Sequence, residues 1–256
     1  MADAKCEIAA KNFINSWKFK DDIECVFLTG SHASGNADEF SDIDLFIILN
    51  DDVKWRERGN KRVDGMLIEY FANPVRQVKK YIDECYSNVA LTDVNMILSG
   101  IAIFDKNDTA SMMVDFCKQK LASEFPKMSE FNVQTGLYFL WDKYDELNRA
   151  YFDQHFDFLM QFYNFVQHAF EIYSRYICSP VPGYQKLYRW LTDDDFAKKY
   201  GLATYNDLDF LKMMKMVFGC SNTIEIFELS KNIYEYVANK MGGLDIDNFV
   251  LHGPCE

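Results

Sequence analysis

The sequence predicts an α+β (α/β) fold, in which a small mixed β-sheet domain is followed by a helical-bundle domain. In the first part of the chain, short apolar runs alternate with polar loops and helical segments, an order typical of such a sheet domain. After about residue 107, Gly and Pro become sparse, and long segments with a 3.6-residue apolar period follow. We therefore expect two domains, residues 1–107 and residues 108–256.

Four short apolar runs predict the strands of the sheet. Residues 23–29 and 43–49 are the clearest, because each is mostly apolar, has the length of a strand and lies beside polar turn residues. The other two are residues 63–72, closed by Asn73-Pro74, and residues 101–105.

Apolar residues at helical spacing predict the remaining elements. In the first domain they indicate helices over residues 3–18 and 75–86. The second domain is predicted to be a bundle, with its clearest break at Ser179–Gly183, where two prolines and a glycine interrupt the pattern. Its helical segments cover residues 108–124, 129–150, 153–177, 184–199, 205–217 and 221–241.

Composition indicates a globular protein and limits its partners. Apolar residues make up 49% of the 256 residues, which is enough for a sizeable core. The formal net charge is −12 and no Lys/Arg-rich run occurs, which disfavours a nucleic-acid substrate. The acidity is compatible with a cationic substrate, although acidic proteins of other kinds are commoner.

Cysteine usage and hydropathy indicate the cellular compartment. The seven Cys are odd in number, widely spaced and without a CxxC pair, so we expect neither a disulfide framework nor a zinc site. Charged residues interrupt the first segment, and no run of eighteen apolar residues occurs. These observations predict a cytoplasmic protein without a membrane partner.

The candidate chemistry lies between the first two predicted strands. Gly30 and Ser31 follow the first strand directly. Glycine allows a tight turn and the close approach of a phosphate, and the Ser31 hydroxyl with nearby amides offers hydrogen-bond donors to phosphate oxygens. His32 in the same loop is either a further phosphate contact or an exposed residue without a role.

Two aspartates open the second strand. Asp42 and Asp44 are two residues apart, so on a strand both carboxylates point to the same side while Ile43 points to the core. Two adjacent carboxylates repel each other unless a cation lies between them, and hard oxygen ligands favour Mg²⁺. A magnesium ion held by carboxylates and bridged to phosphates is typical of phosphoryl and nucleotidyl transfer.

A third carboxylate is expected from a neighbouring strand. Glu69 is flanked by apolar residues, where an acid is rarely buried unless it is paired or bound to metal. Asp64 is the rival candidate, but it precedes Gly65 and is expected in a hairpin turn. Asp-x-Asp alone is a weak signal, and Asp245-x-Asp247 is interpreted as a solvated loop.

In combination, these residues resemble the polymerase-beta-like nucleotidyltransferase superfamily. The resemblance covers about residues 23–72, with Gly30-Ser31 followed by Asp42-x-Asp44 between apolar positions. The helical half is similar in style to the small-molecule branch, which includes kanamycin, streptomycin and lincosamide nucleotidyltransferases. The resemblance implies phosphate contacts from Gly30 and Ser31, metal binding by Asp42 and Asp44, and Glu69 as the third acid of the triad.

The resemblance also directs attention to the helical half for a general base and a phosphate contact. Some members place a base on the first long helix of the second domain, where Asp145 is the candidate here and Arg149, one turn on, a candidate nucleotide contact. Glu69 is the alternative base, and an ordinary surface ion pair is the alternative for Asp145 and Arg149. Lys186, with Arg189 as its alternative, is a candidate for reaching the triphosphate.

The leading hypothesis is magnesium-dependent transfer of a nucleoside monophosphate from a nucleoside triphosphate to a hydroxyl of a small molecule, with release of pyrophosphate. The acceptor is expected to be an aminoglycoside, a lincosamide or another hydroxylated metabolite, which would make the protein an antibiotic-resistance enzyme in the first two cases. A protein or RNA acceptor and a non-catalytic nucleotide-binding regulator are the alternatives. A homodimer with a shared cleft is also left open.

Overall fold

The computed structural model describes residues 4–199 and 205–253 of the chain. Contacts divide these residues into two compact units, the first running to Glu124 and the second beginning at Phe125, with a short segment from Lys198 grouped with the first. The helix Thr109–Leu121 packs on strands of the first unit, although it follows the expected domain boundary at residue 107. The division at residue 107 stays a prediction.

A five-stranded mixed sheet is the centre of the first unit. The strand order is β3-β4-β2-β1-β5, in which only β2 and β4 are parallel neighbours. This confirms the predicted fold class, a mixed sheet with helices followed by a helical region. The strands are β1 (Ile23–Thr29), β2 (Ile43–Leu49), β3 (Glu57–Val63), β4 (Met66–Pro74) and β5 (Ile101–Asp105).

The period of two along β2 decides which side chains reach the core. Ile43, Leu45 and Ile47 are fully buried in a cluster with the N-terminal helix α1 (Ala4–Ser16). Tyr70 on β4 points to the same face, because its ring packs against Phe13 of α1. Side chains alternate along each strand, so Asp44, between Ile43 and Leu45, and Glu69, next to Tyr70, lie on the opposite face of the sheet.

Strand β3 was not expected from the sequence, because six of its seven residues are polar, charged or Gly. It lies at an edge of the sheet, where one side of the strand is solvated and charged residues prevent edge-to-edge pairing. The hairpin to β4 turns at Asp64 and Gly65, which have φ of 51° and 83°. Asp-Gly at two positive φ values is typical of a type I′ hairpin turn, so the expectation that Asp64 belongs to the turn is confirmed. The predicted strand 63–72 accordingly splits at this turn.

Four further α-helices lie in the described part of the first unit: α2 (Gly30–Ser34), α3 (Val75–Ser87), α4 (Thr92–Leu98) and α5 (Thr109–Leu121). A single 3-10 turn, Lys20–Asp22, precedes β1. The helix α5 corresponds to the segment predicted over residues 108–124, and α4 was not predicted.

The described part of the second unit is helical, as expected. The segment predicted as one helix over residues 184–199 is two, because Asp193 ends the first and its carboxylate accepts a hydrogen bond from the backbone amide of Phe196 in the next, at 2.9 Å. None of the helices in the described ranges is both long enough and apolar enough to cross a membrane. The helices are α6 (Glu130–Phe152), α7 (Phe158–Tyr176), α8 (Tyr184–Thr192), α9 (Asp194–Lys199), α10 (Leu208–Met216) and α11 (Thr223–Lys240).

One carboxylate joins three helices of this unit. Asp207 precedes α10 and accepts hydrogen bonds from the Tyr173 hydroxyl on α7 at 2.6 Å and from the Tyr236 hydroxyl on α11 at 2.8 Å. Its other oxygen caps α10 by accepting from the amides of Asp209 and Phe210. Asp207 therefore accepts hydrogen bonds from two tyrosine hydroxyls and from the N-terminal amides of α10.

Candidate active site

Three carboxylates meet at one end of β2 and β4. Asp42, Asp44 and Glu69 each offer an oxygen, and these oxygens all lie within 4.8 Å of one another. The three side chains are partly buried. The sequence-based choice of Glu69 as the third acid agrees with this geometry. The rival candidate, Asp64, lies in the hairpin turn and accepts a hydrogen bond from the Asn12 side chain of α1.

Strand register brings the three acids together. β2 and β4 are parallel, with Asp44 paired to Glu69, so the two carboxylates lie side by side on one face. Asp42 precedes β2 by one residue and is two positions before Asp44, while Ile43 between them is fully buried on the opposite face. The same alternation that builds the core therefore aligns the acids, and we call the face of the sheet that carries Asp42, Asp44 and Glu69 the triad face.

Gly30 lies directly against this cluster. Thr29, the last residue of β1, pairs with Asp44 on β2, and Gly30 then turns the chain into the short helix α2 with φ of 66°. A Cβ placed on Gly30 would lie 2.8 Å from Cγ of Asp44 and nearer still to Oδ2. Only glycine fits this position, because any side chain would both strain the backbone and displace the Asp44 carboxylate.

A Gly30→Ala variant should lose activity by displacing Asp44, in addition to about 1–2 kcal/mol of stability from left-handed strain. Gly65→Ala is the matched control, because Gly65 also has positive φ but a Cβ there meets no atom within 4 Å. We expect similar losses of thermal stability but weakened metal binding only in Gly30→Ala, measured by calorimetry with Mg²⁺. Equal metal binding by both variants would contradict the role of Gly30.

Arg58 supplies a positive charge next to the triad that was not expected from the sequence. Its guanidinium donates to Oε1 of Glu69 at 2.7 Å and lies over the Phe71 ring, 4.5 Å from the centroid. Arg58 faces Phe71 in the β3–β4 register, so both point to the triad face. The pair shields Glu69 from its acidic neighbours, and it engages a carboxylate that a metal ion would also use.

Removing this pair should therefore strengthen metal binding. Because the Arg58 side chain is 70% exposed, solvent screening limits the effect, and Arg58→Gln is expected to raise the affinity for Mn²⁺ by roughly two- to fivefold. Electron paramagnetic resonance of free Mn²⁺ measures this directly. A lower affinity in the variant would mean that Arg58 organises Glu69 for metal instead of competing with it.

The short helix α2 contains two further residues that the sequence offers as phosphate contacts, Ser31 and His32. The Ser31 carbonyl accepts from the Asn36 amide and the Ser34 hydroxyl, which fixes the turn after α2. His32 is buried, with 8% of its surface exposed, and its Nε2 has no hydrogen-bond partner among the described residues. The interpretation of His32 as an exposed loop residue is therefore wrong.

The residues predicted in the helical half lie in the second unit. Asp145 and Arg149 on α6 form an ion pair at 2.6 Å, with the Arg149 side chain 75% exposed. An ordinary surface ion pair was the alternative considered for these two residues. Their roles as general base and nucleotide contact stay predictions. Lys186 lies on α8, as does Arg189, whose guanidinium lies over the Phe196 ring at 4.3 Å.

Comparisons with known proteins agree with the geometry of the site. Residues 10–103, less than half of the chain, match the family model described as a nucleotidyltransferase domain. No curated protein sequence matches the chain. Among solved structures, the chain is similar to a nucleotidyltransferase-like protein from Exiguobacterium sibiricum, with a TM-score of 0.50 and 12% identity, over 91% of this chain and 74% of that one. At that identity the likeness concerns the fold alone.

The matched residues begin within α1, end within β5, and include Gly30 and all three clustered acids. The sequence motif, the register that joins the acids and the family model thus identify the same part of the chain. The part of the chain that matches the nucleotidyltransferase-domain model, residues 10–103, therefore contains the candidate catalytic carboxylates Asp42, Asp44 and Glu69.

Proposed function

We propose that the protein transfers a nucleoside monophosphate from a nucleoside triphosphate to a hydroxyl group of a small molecule. The observation that carries this proposal is the convergence of Asp42, Asp44 and Glu69 within 4.8 Å in a nucleotidyltransferase domain. A non-catalytic regulator is disfavoured by the same observation, because a domain that only bound nucleotide would not need three intact acids.

The three carboxylates fit a magnesium site. They supply hard oxygen donors on one face, and their mutual repulsion would be relieved by a divalent cation. Magnesium bound there would offset the negative charge that accumulates on the phosphates during transfer. We therefore keep Mg²⁺, the cofactor expected from the sequence, as part of the proposal.

We assign phosphate binding and proton removal to residues of the chain. We assign phosphate contacts to Gly30 and Ser31, because they adjoin Asp44 from the β1 side. In the reaction, the acceptor oxygen forms a bond to the α-phosphorus, the bond to the bridging oxygen breaks, and pyrophosphate leaves with that electron pair. We assign the removal of the hydroxyl proton to Glu69 or to Asp145 as alternative bases. Lys186 and Arg149 are proposed triphosphate contacts.

The acceptor is proposed to be small because the chain is acidic. With a net charge of −12 and no basic run, the chain lacks the electrostatic means to hold a polynucleotide. Aminoglycosides and lincosamides are candidate acceptors through the resemblance to the small-molecule branch, and antibiotic resistance is proposed on that ground alone. Protein and RNA acceptors are the second candidates, and a homodimer remains a prediction.

Mass spectrometry of reaction products tests the proposal. Each nucleoside triphosphate is incubated with Mg²⁺, the protein and a panel of hydroxylated antibiotics, sugars and aromatic metabolites. We expect one acceptor to gain the mass of a nucleoside monophosphate, and expect no product with Asp42→Asn. A mass gain on the protein itself or on added RNA would replace the small-molecule acceptor. A product that persists in Asp42→Asn would contradict the assigned site.

A further inference from the structure

We infer that a pocket beside Glu69 binds the acceptor, and that it selects an acceptor carrying a carboxylate or phosphate group. This inference rests on the proposed function and adds the charge class of the second substrate. The pocket has a volume of about 380 Å³ and lies within the first unit. We call it the arginine pocket, and its lining residues are Arg56, Glu57, Arg58, Phe71, Asn73 and Tyr81.

Strand register places this pocket on the triad face. Along β4, Glu69, Phe71 and Asn73 alternate with Tyr70 and Ala72, so the first three share a face. Each step of two residues advances about 7 Å, and the lining therefore extends roughly 7–13 Å from Glu69 along the strand. An acceptor of modest size can thus reach Glu69 with a hydroxyl while another group occupies the pocket.

Strand order places the pocket on the side of the three acids away from Gly30. Across the sheet, β1, which ends just before Gly30, is followed by β2 with Asp44, β4 with Glu69 and β3 with Arg58. In-line transfer requires the attacking oxygen and the leaving pyrophosphate on opposite sides of the α-phosphorus. If the triphosphate lies toward Gly30, the acceptor must come from the side of Glu69 and Arg58.

The charges in the arginine pocket are those of an anion site. The Arg56 guanidinium contacts the Tyr81 hydroxyl, and Arg58 lies over Phe71. The one acid in the lining, Glu57, already accepts from Trp17 and Tyr70 of the opposite face. Guanidinium groups bind carboxylates and phosphates in a forked geometry, which fits such a ligand better than it fits an amine.

Metal binding would add to this preference. Arg58 donates to Oε1 of Glu69, a side chain that also offers an oxygen to the metal. Once Glu69 coordinates a cation, Arg58 loses part of its counter-charge, and an anionic group on the acceptor can replace it. A polycationic acceptor would instead place its ammonium groups against two guanidinium groups, which is electrostatically unfavourable, so this inference excludes the aminoglycosides from the candidate acceptors.

Matched ligands of opposite charge test the inference. The full chain, first loaded with Mg²⁺ and a non-hydrolysable nucleoside triphosphate analogue, is titrated by calorimetry with two pairs of hydroxyl compounds. One pair is 4-hydroxyphenylacetate and tyramine, and the other is glucose 6-phosphate and glucosamine. We expect the anionic member of at least one pair to bind about tenfold or more tighter than its cationic partner, and the pair that responds identifies carboxylate or phosphate.

Two single substitutions test whether the arginine pocket is the site that binds the anionic compound. Arg56→Gln should lower the affinity for the anionic compound about tenfold, because it removes a charge without touching Glu69. Lys61→Gln is the matched control, since Lys61 lies on β3, which begins directly after Arg56, but is over Phe13 on the opposite face. It should leave that affinity unchanged. An equal loss in Lys61→Gln would mean that the overall charge, and not the pocket, attracts the anion.

The remaining outcomes separate this inference from the proposed function. If the triphosphate analogue binds equally with and without Mg²⁺, the proposed function itself fails. If the analogue requires Mg²⁺ but the cationic compounds bind as tightly as the anions, or neither binds at millimolar concentration, only the arginine pocket is wrongly assigned. If Arg56→Gln weakens the analogue and not the anion, the pocket serves the donor, which also overturns the inference.

Discussion

Replacing Asp44 with Asn is expected to lower the rate of pyrophosphate release by about a thousandfold or more, because it removes a charged metal ligand whose effect is realised in the transition state. Asn keeps the shape of the side chain, so the packing against Gly30 and the pairing with Thr29 should survive. The rate is measured by coupled pyrophosphate detection with the acceptor that product mass spectrometry identifies. Circular dichroism and the thermal midpoint verify that the variant remains folded.

Two further variants test whether the loss of rate in Asp44→Asn is specific to the three clustered acids. Asp42→Asn should reproduce it, because Asp42 belongs to the same cluster of oxygens. Asp247→Asn removes an exposed acid from the other Asp-x-Asp sequence and should leave the rate unchanged. Turnover near the original rate in the Asp44 variant would exclude the triad as the metal site.

Replacing Asp207 with Ala is expected to cost about 3 kcal/mol of stability in the helical unit. The change leaves two tyrosine hydroxyls, on Tyr173 and Tyr236, without their acceptor and removes the cap of α10. Tyr173 is 1% exposed, so water cannot replace the lost partner without rearrangement. Urea unfolding monitored by hydrogen exchange in α7, α10 and α11 measures the loss where it arises.

The pH dependence of this loss has a defined sign. Burial raises the pKa of Asp207, but hydrogen bonds from Tyr173, the Phe210 amide and Tyr236 outweigh burial and hold the pKa below its usual range. Because the unfolded value is about 3.9, the contribution is fully present above that pH and is lost as the pH falls through the folded-state pKa. The original protein and Asp207→Ala should therefore become more similar in stability in strong acid.

A control residue lies nearby. Asp209 pairs only with Lys212 at 3.0 Å among the described side chains, and its own side chain is 76% exposed. Asp209→Ala should therefore change stability by well under 1 kcal/mol, as for exposed pairs in general. An equal loss in both variants, or a difference that persists unchanged in strong acid, would show that the carboxylate of Asp207 is not what joins the helices.

Residues with local causes were predictable from the sequence. Apolar runs marked β1 and β2 to the residue, because those strands lie in the centre of the sheet and are buried on both faces. The alternation that buries Ile43 also predicts that Asp42 and Asp44 share a face. Glu69 was predictable for the same reason, as an acid between apolar neighbours.

Residues whose role depends on pairing between strands were not predictable. β3 is polar along nearly its whole length, and an edge strand does not need an apolar pattern. The hairpin signal Asp64-Gly65 was recognised as a turn, and searching for a strand before that turn would have found β3. Without β3 the neighbours of Glu69 were unknown, so Arg58 and the arginine pocket could not be foreseen. The burial of His32 likewise depends on packing that the loop sequence does not show.

The central claim is that Asp42, Asp44 and Glu69 hold a magnesium ion that positions a nucleoside triphosphate. Calorimetric titration of the whole chain with a non-hydrolysable triphosphate analogue, with Mg²⁺ and then with excess chelator, tests it most directly because no acceptor is needed. We predict binding that requires Mg²⁺ and is lost in Asp44→Asn. Binding of equal strength in chelator, or in the Asp44 variant, would contradict the claim.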